Sequence, residues 1–170
     1  MGYIFRYCGM VNVMKTVKLY ADGSSLGNPG PSGYCALLEY TSKEGEVFYK
    51  QTSGGEPYNT NGRMELKAVI EGLKVLNEEC EVVVVSDSRY VCDSITTYLR
   101  SWLEKGFKDV KHPDLWGEFA ELSQKHSISA QWVKAHNGHP QNEHCDMVAK
   151  ENAKQYQNNK KHQSSNAGSG

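Results

Sequence analysis

The sequence predicts an α/β fold, a five-stranded mixed sheet with helices on both faces, from three observations. Residues 34–40 and 46–53 read as two strands joined by a short turn containing Gly45, which makes an antiparallel hairpin. Residues 81–86 (EVVVVS) form a β-branched run of the kind that is buried on both faces inside an α/β sheet. Between the later strands, apolar residues recur at helical spacing. A hairpin first, then parallel strands separated by helices, gives the order β-β-β-α-β-α-α-β-α.

Each element has a local cause. Residues 16–22 (TVKLYAD) alternate, with Val17, Leu19 and Ala21 on one face, and predict the first strand. A Gly/Pro/Asn loop over 23–33 leads into the hairpin. A helix over 62–77 carries the stripe Leu66, Val69, Ile70, Leu73 and Leu76. The buried valine strand follows. Residues 89–105 are predicted helical in two pieces, and 113–125 helical with Leu115, Trp116, Phe119 and Leu122 inward. Residues 128–133 (ISAQWV) predict the last strand. A loop over 134–141 precedes a helix over 142–156, with Cys145, Val148, Ala149, Ala153 and Tyr156 as its stripe.

The 170 residues suffice for one domain, placed at 15–156. Residues 1–14 read as an N-terminal extension, disordered or upstream of a later start at Met10 or Met14. Residues 157–170 read as a disordered polar tail. No apolar run is long enough to span a bilayer, and no signal-peptide pattern is present, so no membrane partner is expected. Five scattered cysteines without a CxxC predict free thiols in a reducing compartment rather than a disulfide or zinc framework. The formal charge of −1 argues, taken alone, against a protein that holds nucleic acid by charge.

Functional groups in open α/β sheets collect at the carboxyl ends of strands. Asp22 closes the first strand and Asp87 the buried one, so they face each other if those strands are neighbours. Glu65 is placed in the first turn of its helix and Asp146 in the second turn of the last. Each acid singly reads as a turn or cap residue. Together they repel one another unless a hard divalent cation sits among them, and oxygen-only ligands suit Mg²⁺ or Mn²⁺.

Four segments then carry a resemblance. YADGSSLGNPGPSGY (20–34), TNGRMELKAVIEGL (60–73), VVVSDSRYV (83–91) and WVKAHNGHPQNEHCDMVA (132–149) are similar, in order and spacing, to the signature segments of type-one ribonuclease H. The resemblance covers about 15–155. It implies a ribonuclease H-like fold and an endonuclease that cleaves the RNA strand of RNA–DNA hybrids by a two-metal mechanism, leaving 5′-phosphate and 3′-hydroxyl ends. It implies that Asp22, Glu65, Asp87 and Asp146 bind the metals: two Mg²⁺ ions with substrate bound, with Mn²⁺ as the alternative. His136 falls on a loop histidine that assists proton movement or product release, and Glu143 on a second acid that modulates metal occupancy in some relatives. Gly23, Ser24, Ser25, Asn28, Thr60, Asn61, Arg63, Ser88, Arg89 and Tyr98 fall on positions near the substrate. His139 and His144 read as surface histidines. The resemblance also implies a cytoplasmic monomer with no obligate protein partner. A DNA-acting member of the same superfold would share the carboxylates without all four segments. A binding module would not need all four acids and His136. A dinucleotide-binding domain is excluded, because no GxGxxG follows a strand.

Three departures from the family pattern stand out. Gly62 replaces a second amide residue after Asn61. Ala135 stands where glycine precedes the loop histidine, which predicts a stiffer loop. The segment between the middle helices is short, with four cations against two anions over 95–113, and His112 replaces an asparagine beside a phosphate pocket. The thin charge predicts weaker hybrid binding, and a steeper loss at high salt, than in a relative with a longer basic segment.

Overall fold

A computed structural model describes residues 13–166. Most of the expected N-terminal extension (1–12) and the end of the polar tail (167–170) lie outside the described residues. Five strands form one sheet in the order β3-β2-β1-β4-β5. They are β1 (Lys15–Ser25), β2 (Gly30–Thr41), β3 (Val47–Asn59), β4 (Cys80–Ser86) and β5 (Ser127–Trp132). The first three run antiparallel, while β4 is parallel to both β1 and β5. This is the mixed sheet that the hairpin and the valine run predict.

The period-two pattern sorts side chains onto two cores. Val17, Leu19, Ala21, Val82 and Val84 face helix α1 (Asn61–Lys74) and α4 (Pro113–Ser123), in a cluster with Leu66, Val69, Leu73, Trp116 and Phe119. Tyr20, Cys35 and Val85 face the other way, with Val133 and Cys145, toward α5 (Pro140–Asn166). The valine strand is therefore sandwiched. Each fully buried side chain of this size contributes about 1.5–3 kcal/mol.

The strands run further than alternation alone predicts. β1 and β2 stay paired through the glycine-rich stretch to Ser25 and Ser32, so the loop shrinks to 26–29. Leu26 N–H donates to the Pro31 carbonyl at 2.8 Å and closes it, with Gly27 left-handed. β3 likewise continues past Ser53 to Asn59.

Two helical segments also differ. Residues 89–105 divide into α2 (Arg89–Asp93), a π turn (94–98) and α3 (Leu99–Glu104). Ser94 Oγ donates to the Tyr90 carbonyl at 2.5 Å, and a hydroxyl that competes for a helical carbonyl loosens the turn there. The last helix does not stop at Tyr156. It runs to Asn166, which corrects the disordered tail expected from 157. No glycine or proline occurs between Tyr156 and Asn166, Gln and Lys are good helix formers, and extending a packed helix costs little.

Candidate active site

Because β1 and β4 are parallel neighbours, with Tyr20 level with Val85, their carboxyl ends coincide and Asp22 meets Asp87. Glu65 is brought in by a close approach. A Cβ on Gly23 would lie 2.3 Å from the Glu65 nitrogen, so only glycine lets the end of β1 pass against α1. The helix starts at Asn61, capped by Thr60, whose Oγ accepts from Arg63 N–H at 3.4 Å. Glu65 therefore opens the second turn, not the first as predicted, because the helix begins one residue earlier than the sequence pattern places it. Carboxylate oxygens of Asp22, Glu65 and Asp87 lie within 4.8 Å of one another.

Asp146 stands outside that trio but acts on it. Its charge raises the pKa of both Asp22 and Asp87. Its Oδ2 accepts from Lys150 Nζ at 2.8 Å, one turn along α5. The Asp22 carboxyl is pushed up to about 8, first by burial and then by Asp87, against a 2.8 Å hydrogen bond from Gly23 N–H. Asp87 is raised by burial and Asp146, with His136 opposing. Glu65 is raised by burial, and the Ser88 hydroxyl bonded to it opposes. Three carboxyls that all resist ionisation make a site short of positive charge.

The same cleft is lined by Lys134, Ala135, His136, His139, Asn142 and Glu143. Asn142 donates to the Val85 carbonyl at 3.1 Å, while its Oδ1 is buried with no partner among the described residues. All-oxygen donors, an orphaned amide oxygen and suppressed carboxylate ionisation fit a hard divalent cation. His136 is exposed, with φ 52°. The left-handed positions of this loop are His136 and Gly138, while Ala135 has a negative φ that alanine adopts freely.

Of the remaining predicted residues, some are tied together and the others stand apart. Asn28, Asn61 and Ser25 form a tie between the β1–β2 loop and α1. Asn28 Oδ1 accepts from Asn61 N–H at 3.0 Å, and Asn61 Oδ1 from Ser25 N–H at 2.6 Å. Their carbonyl oxygens are committed, while their amide NH₂ groups have no hydrogen-bond partner among the described residues. Ser24 sits beside this tie, at the end of β1. Ser88 caps α2 by accepting from Val91 N–H at 3.3 Å, as well as holding Glu65. Arg63 is turned elsewhere: it forks onto Asp114 of α4, with one N···O distance of 3.0 Å, and touches His112. That fork holds the Asp114 carboxyl at about 2. Tyr98, half exposed, stacks on Trp102 at 5.9 Å from the π turn. Arg89 is exposed over the Trp132 ring.

Sequence reasoning missed four residues here: Asn142, Lys134, Trp132 and Lys150. It also set His139 aside as a surface histidine, whereas His139 lines the cleft. Lys150 had a readable signal, an i, i+4 partner for Asp146. Asn142 had none, because an amide in a polar first turn reads as solvated.

The ribonuclease H family model matches residues 14–154. The chain is 52% identical to ribonuclease HI of Helicobacter pylori over 81% of its own length and 92% of that protein. It is 49% identical to ribonuclease H of Campylobacter concisus, over 82% and 94%. Among solved structures it is similar to LC9-RNase H1, a type 1 RNase H with the type 2 active-site motif. That match has a TM-score of 0.77 and 32% identity, and covers 85% of this chain and 74% of the other.

Proposed function

Because the chain belongs to the ribonuclease H family and is a metal-dependent endoribonuclease acting on the RNA strand of RNA–DNA hybrids, we propose that its four carboxylates perform that hydrolysis with two divalent ions, leaving 5′-phosphate and 3′-hydroxyl ends. The observation that carries this reading is the trio Asp22, Glu65 and Asp87 within 4.8 Å, with Asp146 coupled to it. Asp22, Glu65 and Asp87 would hold one ion, and Asp22 with Asp146 the second. Mg²⁺ is the proposed species, with Mn²⁺ able to replace it. When bound, such ions lower the pKa of a water and neutralise charge on the phosphate.

The chain's own groups do the rest. Gly23 and the Ser88 hydroxyl hold Asp22 and Glu65 in place. His136, close enough to Asp87 to influence its titration, assists proton movement or product departure. A hybrid carries 2′-hydroxyls on one strand only, across a wide minor groove. We assign the reading of that edge to the NH₂ groups of Asn28 and Asn61, together with Ser24. We assign Thr60 to a phosphate contact and Tyr98 to a sugar contact. We place the protein in the cytoplasm as a monomer.

Labelled RNA–DNA, RNA–RNA and DNA–DNA duplexes incubated with and without Mg²⁺ or Mn²⁺ test the reading. Cleavage confined to the RNA strand of the hybrid, dependent on metal, is expected. Asp22→Asn is expected to lower turnover at least a thousandfold, on the order of an electrostatic catalytic group. Near-normal turnover by Asp22→Asn, or cleavage of DNA–DNA, overturns the reading.

A further inference from the structure

Trp132 ends β5 level with Ser86, the residue before Asp87 in the parallel pairing. Its indole N–H and its ring face are both engaged, beside Asp87 and Val133, which line the cleft. The N–H donates to the Asp87 carbonyl at 2.9 Å. The ring lies under the Arg89 guanidinium, whose carbon is 3.6 Å from the ring centroid. A third of Trp132 is exposed (37%), so this is not a core tryptophan. One side chain of β5 thus grips both ends of the Asp87–Ser88–Arg89 turn, while Ser88 in the middle holds Glu65.

The plain alternative is that Arg89 covers an exposed ring. Two observations count against it. Arg89 makes no ion pair or hydrogen bond with any other side chain among the described residues, so all its N–H donors remain available. With its carbon 3.6 Å over the ring centroid, the guanidinium is held in place by the ring and spends none of its donors on it. Second, the stack is built on the turn that carries Asp87, two residues from a carboxylate of the acidic trio. We propose that Trp132 is a positioning residue that presents Arg89 to a phosphate of the bound nucleic acid while fixing the backbone of Asp87. The proposal deepens the hybrid-nuclease reading and rests on it.

The two functions of Trp132 separate by substitution. Trp132→Phe keeps an aromatic face and loses the N–H. Trp132→Leu loses both. Both variants are expected to lose several-fold in single-turnover kcat, through the Asp87 carbonyl. Only Trp132→Leu is expected to raise KM for the hybrid, by about 3–10-fold, as Arg89→Ala does. Arg89→Ala and Trp132→Leu are each expected to lower the slope of log affinity against log salt by about one phosphate's worth. The double variant is expected to have the KM of Arg89→Ala alone, since the ring has no guanidinium left to position. Melting temperatures establish that each variant is folded. Multiplying KM effects in the double variant, equal KM changes for Trp132→Phe and Trp132→Leu, or an unchanged salt slope would each overturn the proposal. If the wild-type chain does not cleave the hybrid at all, the functional reading fails and the proposal falls with it. If it cleaves and the cycle is additive, the proposal alone falls.

Discussion

Asp22 is the most buried of the four carboxylates, at 8% exposure, and its acid is pushed up to about 8 from an ordinary value near 4. Such a group binds its proton more tightly in the folded chain than in the unfolded one. Its contribution to stability is therefore full below about pH 4 and is lost as pH rises toward 8. The metal-free protein should melt progressively lower between pH 5 and pH 8. Asp22→Asn should remove most of that slope and raise the melting temperature at pH 8 by several degrees. Adding Mg²⁺ at pH 8 should stabilise the wild type and do much less for the variant, because a ligand that binds only the native state shifts unfolding by mass action. Calorimetry across this pH range checks it, and parallel curves for the two metal-free proteins would show that Asp22 carries no such burden. The same measurement separates a cluster built for cations from carboxylates that are merely buried.

At the scale of elements, the site depends on β1 and α1 passing closer than side chains normally allow. Gly23→Ala places a methyl group against the Met64–Glu65 backbone, where nothing flexible can give way. The expected result is a loss of about 1–3 kcal/mol in stability and at least a tenfold drop in kcat, since Glu65 moves with its helix. An unchanged kcat would mean that Glu65 is not held by this contact. The glycine was legible in the sequence, but its purpose was not. Beside a serine-rich loop it reads as making room for substrate, whereas the space belongs to α1. The valine run of β4 and the stripe of α1 were legible, because two-sided burial and 3.6-residue periodicity need no tertiary information. The strand ends were not, since glycines and serines carry no alternation, and only the β1–β2 register shows that pairing continues to Ser25. The end of α5 was hidden for a related reason. A polar stretch without glycine or proline is compatible with coil and with helix, and the packed turns before it decide. In the site, the four acids were legible only together, and the partners that tune them were not. Trp132, Asn142 and Lys150 owe their positions to β5 and α5, which sequence spacing alone does not bring to Asp87 and Asp22.

For the whole molecule the question is how a chain of net charge −1 holds a polyanion. Four of its twenty acids gather in one cleft, which leaves +3 spread over the rest. Without metal, those of its carboxyls that are ionised repel phosphate, and what attraction exists comes from a thin rim. The segment 95–113, with four cations against two anions, adds little, and Arg100 spends part of its charge on Glu104. Arg63 is likewise occupied by Asp114. A duplex gripped at few phosphates releases few counterions, and the salt slope is shallower by about 0.9 for each phosphate left unneutralised. This reverses the salt dependence that the thin charge first suggests: binding is weaker at low salt, but it declines less steeply as salt is raised. Anisotropy titrations of a labelled hybrid between 50 and 200 mM salt, with Ca²⁺ in place of Mg²⁺ to hold back cleavage, test this against a relative with a longer basic segment. The two affinities should differ by about tenfold at the low end and converge toward the high end. Removing the divalent ion should weaken this protein proportionally more, because its cleft then presents bare carboxylates to the strand while its rim has little to offset them. Parallel salt slopes for the two proteins, or equal sensitivity to chelation, would show that the cations outside 95–113 grip the duplex more firmly than their pairing in the structure indicates.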